Sequence, residues 1–358
     1  MPEQPEDLKR ILSAYPLSAG VSSIAPVNDG LINHTWKITL ADNNAYILQA
    51  INTNIFKDPF CIAGNLKEIR NYLAIHSPHY LFAAPLQTKL HNEMAEDDAQ
   101  HFFRLFPFVP GSHAVNVVTS SKQAFEAAQQ FGRFTKQLRD FDITKLQPAL
   151  PGFHDLSLRY RQFQSALQQG NSNRIKQAAE LISLLQEQKN IVDVFISIPN
   201  NTAFKQRVTH HDTKISNVLF NNNDEGLCVI DLDTVMAGYF ISDVGDMMRT
   251  YLSPVNEEEK DHSKMIIREE YFKAIVQGYF SEMKDELTET EKEYFVYAGK
   301  YMVYMQAIRF ITDHLNNDSY YGAKYEGHNL IRAGNQACLL QRIIEKEKAL
   351  NEIVAAVA

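Results

Sequence analysis

Apolar and polar positions alternate early in the chain. WKITL (36–40) and AYILQAI (45–51) each read as a strand, and the ADNN between them as a turn, so a β-hairpin is predicted. NLKEIRNYLAI (65–75) changes period, with Leu66, Ile69 and Leu73 on one helical face. HFFRLFPFVPGS (101–112) is a strand running into a Pro/Gly connection, where the character of the chain shifts. SSKQAFEAAQQFGRFTKQL (120–138) then aligns Phe125, Ala128, Phe131, Phe134 and Leu138 at helical spacing. DLSLRYRQFQSAL and RIKQAAELISLLQEQ are helical in period too, joined by a polar QQGNSN. Two short strands, RVTH and LCVIDLD (227–233), flank a polar segment. From residue 257 the pattern is almost wholly helical, with a long stretch from 288 to 315 opened by a Thr288/Glu291 capping box. The expected architecture is α+β and bilobal. A mostly β lobe with one helix (1–107) is hinged to a mostly α lobe (108–358).

A chain of 358 residues exceeds what one compact core serves, consistent with two lobes. Its 45% hydrophobic and 22% charged content is that of an ordinary globular protein. A net charge of −8 without a dense Lys/Arg block excludes an extended nucleic-acid or anionic-membrane surface and leaves room for a local phosphate pocket. Cys61, Cys228 and Cys338 lie far apart without metal or redox spacing, and are read as reduced, packed thiols. MPEQPEDLKR lacks the basic start and apolar core of a signal peptide, and no apolar run is long enough to span a bilayer, so a cytoplasmic protein is expected.

The polar segment is VTHHDTKISNVLF (208–220). Buried polar side chains cost free energy unless paired, so such a cluster between apolar runs implies a task. Asp212, Lys214 and Asn217 stand as D-x-K-x-x-N, His210 precedes them, and VIDLD brings Asp231 and Asp233 at a strand end. Alone, an Asp in a loop is ordinarily a cap, and His-His-Asp is a fragment of a metal site. No further histidine at ligand spacing completes that metal site. Phosphoryl transfer needs a carboxylate for the hydroxyl proton, a cation for phosphate oxygens, and an Asn with a separate Asp for magnesium; this set supplies all of them.

HHDTKISN with VIDLDTVMAGYFISDVGD resembles the core of the aminoglycoside phosphotransferase and choline kinase-like superfamily, whose fold is protein-kinase-like. Within it, HDTKISNVLF, VIDLDTVM, ILQAINTNIFKDP, FHDLSLRY and IRFITDHLNNDSYY most resemble the N-acetylhexosamine 1-kinases, over roughly residues 25–325. The resemblance implies transfer of the ATP γ-phosphoryl group to the anomeric hydroxyl of GlcNAc or GalNAc. It makes Asp212 the base, Lys214 the γ-phosphate contact, Asn217 and Asp231 magnesium ligands, and Asp233 a helper. Asp243 and Asp246 then stand as anchors of the catalytic segment or as further metal ligands, and His210 as a brace.

A G-x-G-x-x-G loop is absent; Gly30, Asn33 and Thr35 of the DGLINHTW stretch match the group's phosphate loop, while Asn-Asp-Gly is equally an ordinary turn. The usual strand lysine is missing: Gln49 stands at or beside its place, and a neutral residue cannot pair with a helix glutamate such as Glu68. The resemblance implies that adenine lies at the hinge near Phe106 to Val109, with Phe108 among its contacts. In the long helix Gln306, Arg309 and Asp313 share one face, either as a structural ion pair or as a grip on sugar hydroxyls. Resemblance favours the second, with Tyr320 and Tyr321 from the next loop; His154 is either substrate-facing or a helix-entry residue. Two other readings stand: a kinase of another small alcohol, and a nucleotide-binding protein without catalysis.

Overall fold

The alternation at the start of the chain becomes an antiparallel sheet in the computed structural model, which describes residues 5–27 and 32–358. Helix α1 (Pro5–Leu12) precedes strands β1 (Val21–Val27), β2 (His34–Leu40) and β3 (Ala45–Ala50); α2 (Pro59–His76), β4 (Ala95–Glu96) and β5 (Phe102–Pro107) follow. The sheet order is β1-β2-β3-β5-β4. One face carries Ile38, Leu40, Leu48, Ala50, Phe103 and Leu105, covered by Leu8, Ile11, Leu12 and Tyr15. The period of two turns Thr35, Gln49 and Arg104 to the other face, and the strand register sets them side by side.

Helix α2 starts at Asp58, whose side chain accepts from the Phe60 and Cys61 amides, with Pro59 in the first turn. It packs away from the sheet's own core. Ile62, Leu66, Ile69 and Leu73 belong to the larger core that the later helices build. Asn65 fastens this seam: its side-chain amide donates to the carbonyls of Gln147 (2.8 Å) and Val235 (3.2 Å) and accepts from the Gln147 amide (2.9 Å).

After β5 come β6 (His113–Ala114), α3 (Ser121–Gln137), α4 (Leu156–Gln169), α5 (Ser172–Gln177), α6 (Ala179–Glu187) and α7 (Asn190–Ser197). Short strands β7 (Arg207–Thr209), β8 (Val218–Phe220), β9 (Gly226–Val229) and β10 (Met236–Gly238) then frame the polar segment, β7 pairing with β10 and β8 with β6 and β9. Helices α8 (Phe240–Tyr251), α9 (Glu269–Met283), α10 (Glu289–Glu293), α11 (Phe295–Leu315), α12 (His328–Glu345) and α13 (Glu347–Val357) complete the fold. The sheet-rich start and helical remainder form the α+β arrangement expected, except that the start carries two helices, α1 and α2, where one was expected: α1 covers the open face of the sheet. Gly278 brings α9 against α3, because a Cβ there would strike the Phe125 carbonyl.

Three expectations change in detail. The stretch 288–315 is two helices: the Thr288/Glu291 box caps α10, and the chain turns at Tyr294 before α11. LCVIDLD leaves the strand at Val229, because Asp231 adopts a left-handed conformation (φ 58°) and residues 232–234 form a tight 3-10 turn. Residues 257–268 are largely irregular: Glu257 reaches out to Arg249 and Arg332, while Glu259 pairs with Lys264 inside the segment. No helix among the described residues is long and apolar enough to cross a membrane.

Candidate active site

The segment 210–217 leaves β7 and is held almost entirely by hydrogen bonds to its backbone. Asp243, on α8, accepts from the His210 amide (3.0 Å) and the His211 amide (2.7 Å). Asp246, one turn on, accepts from the Thr213 amide (2.9 Å) and is clamped by Arg249 (2.8 and 3.0 Å). The Thr213 hydroxyl donates to the Asp243 carbonyl, and Tyr251 donates to the Thr213 carbonyl, both at 2.7 Å. Asp243 and Asp246 are therefore placed as anchors. Burial pushes the Asp243 carboxyl up to about 7 against the pull of its two amide donors.

His210 braces the same segment. Its Nε2–H donates to the Ile230 carbonyl (2.9 Å), which leaves Nδ1 to accept from the Asp212 amide (3.3 Å). The ring lies edge-on to Phe131 and Phe134, and burial lowers its pKa. His211 takes a left-handed φ of 67°, and Gly238 opposite is needed because a Cβ there would collide with Thr209 and the imidazole.

On this frame the predicted residues converge. The Asp212 carboxylate meets Lys214 Nζ at 3.0 Å. Burial acts to raise the Asp212 pKa, but the Lys214 charge and hydrogen bond, aided by His210 and Arg249, prevail and hold it below the usual carboxylate value. The Asn217 amide nitrogen donates to the Asp212 backbone carbonyl (2.9 Å), which leaves the side-chain oxygen of this buried residue free to accept or ligate. Asp231 keeps solvent access while protein crowds it. That crowding, with the negative charges of Asp233 and Asp212, pushes its pKa up to about 7, against Arg104 and Lys214.

A carboxylate so crowded by others fits a divalent cation. Among the described residues no group of three or more His, Cys, Asp or Glu side chains forms a metal cage by itself. Magnesium ordinarily takes one or two carboxylates and completes its shell with water and phosphate oxygens, so Asp231 with the Asn217 oxygen is a donor set of the fitting kind.

Asp233 is placed differently from expectation. It is buried, Arg104 Nη1 lies 2.5 Å from its Oδ1, and Asn33 donates to Oδ2 at 2.9 Å. The sheet thus occupies the carboxylate that was expected to assist the metal. Asn33 is tied a second time, its side-chain oxygen accepting from the Asn52 amide (3.0 Å). Gln49, at the expected lysine place, accepts from Nε and Nη2 of Arg104 (3.2 and 3.0 Å) and approaches Thr35 at 3.4 Å. Gly30 lies outside the described residues. Glu68 faces Lys145 (3.8 Å) instead of a strand residue. Phe108, past the end of β5, lies under Lys37 Nζ at 4.1 Å, and its amide donates to the Ala45 carbonyl. Sequence reasoning missed Arg104. Its signal was a lone cation inside an apolar strand, a place where Arg is seldom found unless paired.

The other flank is aromatic and cationic. Arg309 lies over the rings of Phe153 (5.7 Å) and Tyr321 (5.4 Å) and donates to Gln306 (3.3 Å), which in turn reaches the Tyr321 hydroxyl (3.4 Å). Phe153 stacks on His154 at 4.4 Å, and His154 Nδ1 is 3.3 Å from His211 Nδ1, so this patch joins the catalytic segment. Tyr320 is 70% exposed and free to meet a ligand. Asp313 is buried and committed: it accepts from the Tyr320 and Tyr321 amides (2.7 and 2.9 Å) and from Asn329 (3.1 Å). As placed, Asp313 shapes the loop that carries the two tyrosines and does not pair with Arg309.

Known proteins share this arrangement of chain. An amicoumacin kinase, solved in complex with AMP-PNP and Ca2+, superposes with a TM-score of 0.65 at 15% identity over 95% of this chain and 94% of that one. A microcompartment-associated aminopropanol kinase gives 0.60 at 15%, covering 97% and 99%. Choline kinase from Cryptosporidium parvum Iowa II gives 0.53 at 12%, covering 99% of each. At these identities the likeness is one of fold. Sequence goes further, since residues 23–287 match the phosphotransferase enzyme family, APH. That span runs from β1 to the turn before α10 and includes the whole catalytic segment, so the chain belongs to the phosphotransferase enzyme family and is an enzyme that transfers a phosphoryl group to an alcohol.

Proposed function

We propose that the enzyme is an ATP- and magnesium-dependent kinase that phosphorylates the anomeric hydroxyl of an N-acetylhexosamine, GlcNAc or GalNAc. The observation that carries the reading is the junction of the Asp212–Lys214 pair with the Arg309–Phe153–Tyr321 patch through His154 and His211. A sugar presents an apolar ring face and many hydroxyls, and aromatic rings beside an arginine suit both. The IRFITDHLNNDSYY segment, which supplies Arg309 and Tyr321 of this patch, also resembles the acceptor-binding segment of N-acetylhexosamine kinases.

Asp212 takes the proton of the anomeric hydroxyl as its oxygen bonds to the γ-phosphorus. The bond from that phosphorus to the bridging oxygen breaks, and ADP leaves. Its lowered pKa keeps the carboxylate ionised, hence able to accept, near neutral pH. Lys214 holds the γ-phosphate, Arg309 and Tyr320 orient the sugar, and Phe108 marks the hinge against which adenine lies. Magnesium held by Asp231 and Asn217 would neutralise phosphate charge. An anomeric hydroxyl is more acidic than an ordinary alcohol, which suits a single carboxylate as base.

The test is direct. The protein is incubated with ATP, magnesium and a panel of GlcNAc, GalNAc, glucose, choline and aminopropanol, and the product phosphate is located by NMR. A sugar 1-phosphate from the N-acetylhexosamines is expected. Higher kcat/KM for choline or an amino alcohol would assign the enzyme to another acceptor, and ATP binding without any product would leave only a nucleotide-binding protein.

A further inference from the structure

The protein lacks the strand lysine but keeps a buried cation beside its place. Gln49 and Arg104 are register partners on β3 and β5, and the Gln49 side-chain oxygen accepts from two nitrogens of the guanidinium. Arg104 is 2% exposed. Its third nitrogen, Nη1, forms a buried ion pair with Asp233 Oδ1 at 2.5 Å, and among the described residues neither atom has a well-aligned hydrogen bond. With one N–H each from Nε and Nη2 given to Gln49 and one from Nη1 facing Asp233, two of the five guanidinium N–H groups have no acceptor among the described residues, in a region shielded from water. Such donors are costly to bury unless something accepts from them. Asp233 does not need Arg104 alone, because Asn33 already donates to its other oxygen. Asn33 also comes from the segment preceding β2, where a phosphate loop is expected.

We propose that Arg104, aimed by Gln49, is the phosphate-binding cation of this enzyme, so that the charge supplied elsewhere by a lysine on β3 comes here from the neighbouring strand β5. The ligand class is a polyphosphate: the uncommitted N–H groups donate to non-bridging oxygens of the nucleotide's α- or β-phosphate. Gln49 is then a positioning residue. Its neutrality is required, since a second cation at that register would repel the first. This rests on the phosphotransferase reading and is independent of which alcohol accepts the phosphate.

The experiment measures binding of ATP and of adenosine by calorimetry, without acceptor and with or without magnesium, alongside thermal midpoints. It compares wild type, Arg104→Gln and the exchange variant Gln49→Lys/Arg104→Gln, which returns a cation to the adjacent strand. Arg104→Gln is expected to weaken ATP by about 10- to 100-fold, the scale of a lost charge-assisted hydrogen bond, and adenosine by less than about twofold. The exchange variant is expected to recover most of the ATP loss. Equal losses for ATP and adenosine, or unchanged ATP affinity, overturn the proposal and leave Arg104 a structural partner of Asp233. Should Arg104→Gln fail to fold, the exchange variant decides alone: an ATP-to-adenosine preference near wild type supports the proposal, and its loss refutes it. Wild type that binds no nucleotide would sink the kinase reading itself, and wild type that binds ATP but turns over no sugar would sink only the acceptor.

Discussion

His154 and His211 face each other Nδ1 to Nδ1 across 3.3 Å, and only one of those nitrogens can carry a hydrogen. Thr209 decides which. Its hydroxyl gives its single hydrogen to the Met236 carbonyl (3.1 Å), so at 2.7 Å it must accept from His211 Nε2–H. His211 Nδ1 is then the acceptor, His154 Nδ1–H the donor, and both rings are neutral. Burial first, then the neighbouring positive groups, lowers both pKa values, that of His211 to about 3.

That arrangement makes stability depend on pH. Folded His211 stays neutral, whereas the unfolded chain takes up a proton below about 6.5. Its contribution is complete at pH 7 and is lost as the pH falls from about 6.5 towards 3, at about 1.4 kcal/mol per pH unit. His211→Asn, which tolerates the left-handed backbone, should flatten the stability curve by that slope relative to wild type. Asp231 and Asp243, whose pKa values are raised, act in the opposite sense in both proteins and cancel in the comparison. Urea denaturation at pH 7, 6, 5 and 4 measures it; parallel curves would show that folded His211 is not held neutral.

Asp212→Asn should reduce kcat by about 10²- to 10⁴-fold, the usual worth of a positioned base. The thermal midpoint should barely move, because Lys214, the ion-pair partner, is 45% exposed and resolvates. Retained turnover in a folded variant would remove Asp212 from the role of base.

Asp243→Ala leaves the His210 and His211 amides without their acceptor inside the protein. Each unsatisfied buried amide costs about 1–3 kcal/mol, so a loss of several kcal/mol in denaturant unfolding is expected, together with activity. A stable but inactive variant would instead point to a direct chemical role for Asp243.

The two N–H groups of the Asn329 side chain are shared among Asp313, Asp318 and the Gly322 carbonyl, holding the loop of Tyr320 and Tyr321 closed on itself. Asn329→Ala should raise KM for the acceptor by several-fold while KM for ATP is unchanged. Equal changes in both constants would detach this loop from acceptor binding.

Local patterns were legible in the sequence. The β2–β3 hairpin follows from alternation, the α10 cap from Thr288 and Glu291, and the convergence of Asp212, Lys214 and Asn217 from spacing along one loop. Pairings between distant segments were hidden. Arg104 and Asp233 meet across 129 positions, and Asp313 turns from Arg309 towards Tyr320 and Tyr321 only because the following loop folds back. The turn at Asp231 was equally silent, since an apolar run ending in Asp reads as a strand until the backbone is seen to reverse hand.

Helix α2 carries one last consequence. Its apolar face is embedded in the catalytic half, Asn65 bolts it to the segment following Asp233, and Glu68 leans outward to Lys145. A helix held this way offers no lever for an on–off swing coupled to a lysine latch. Any such swing would first have to break the Asn65 bonds and draw Ile62, Leu66, Ile69 and Leu73 out of the larger core.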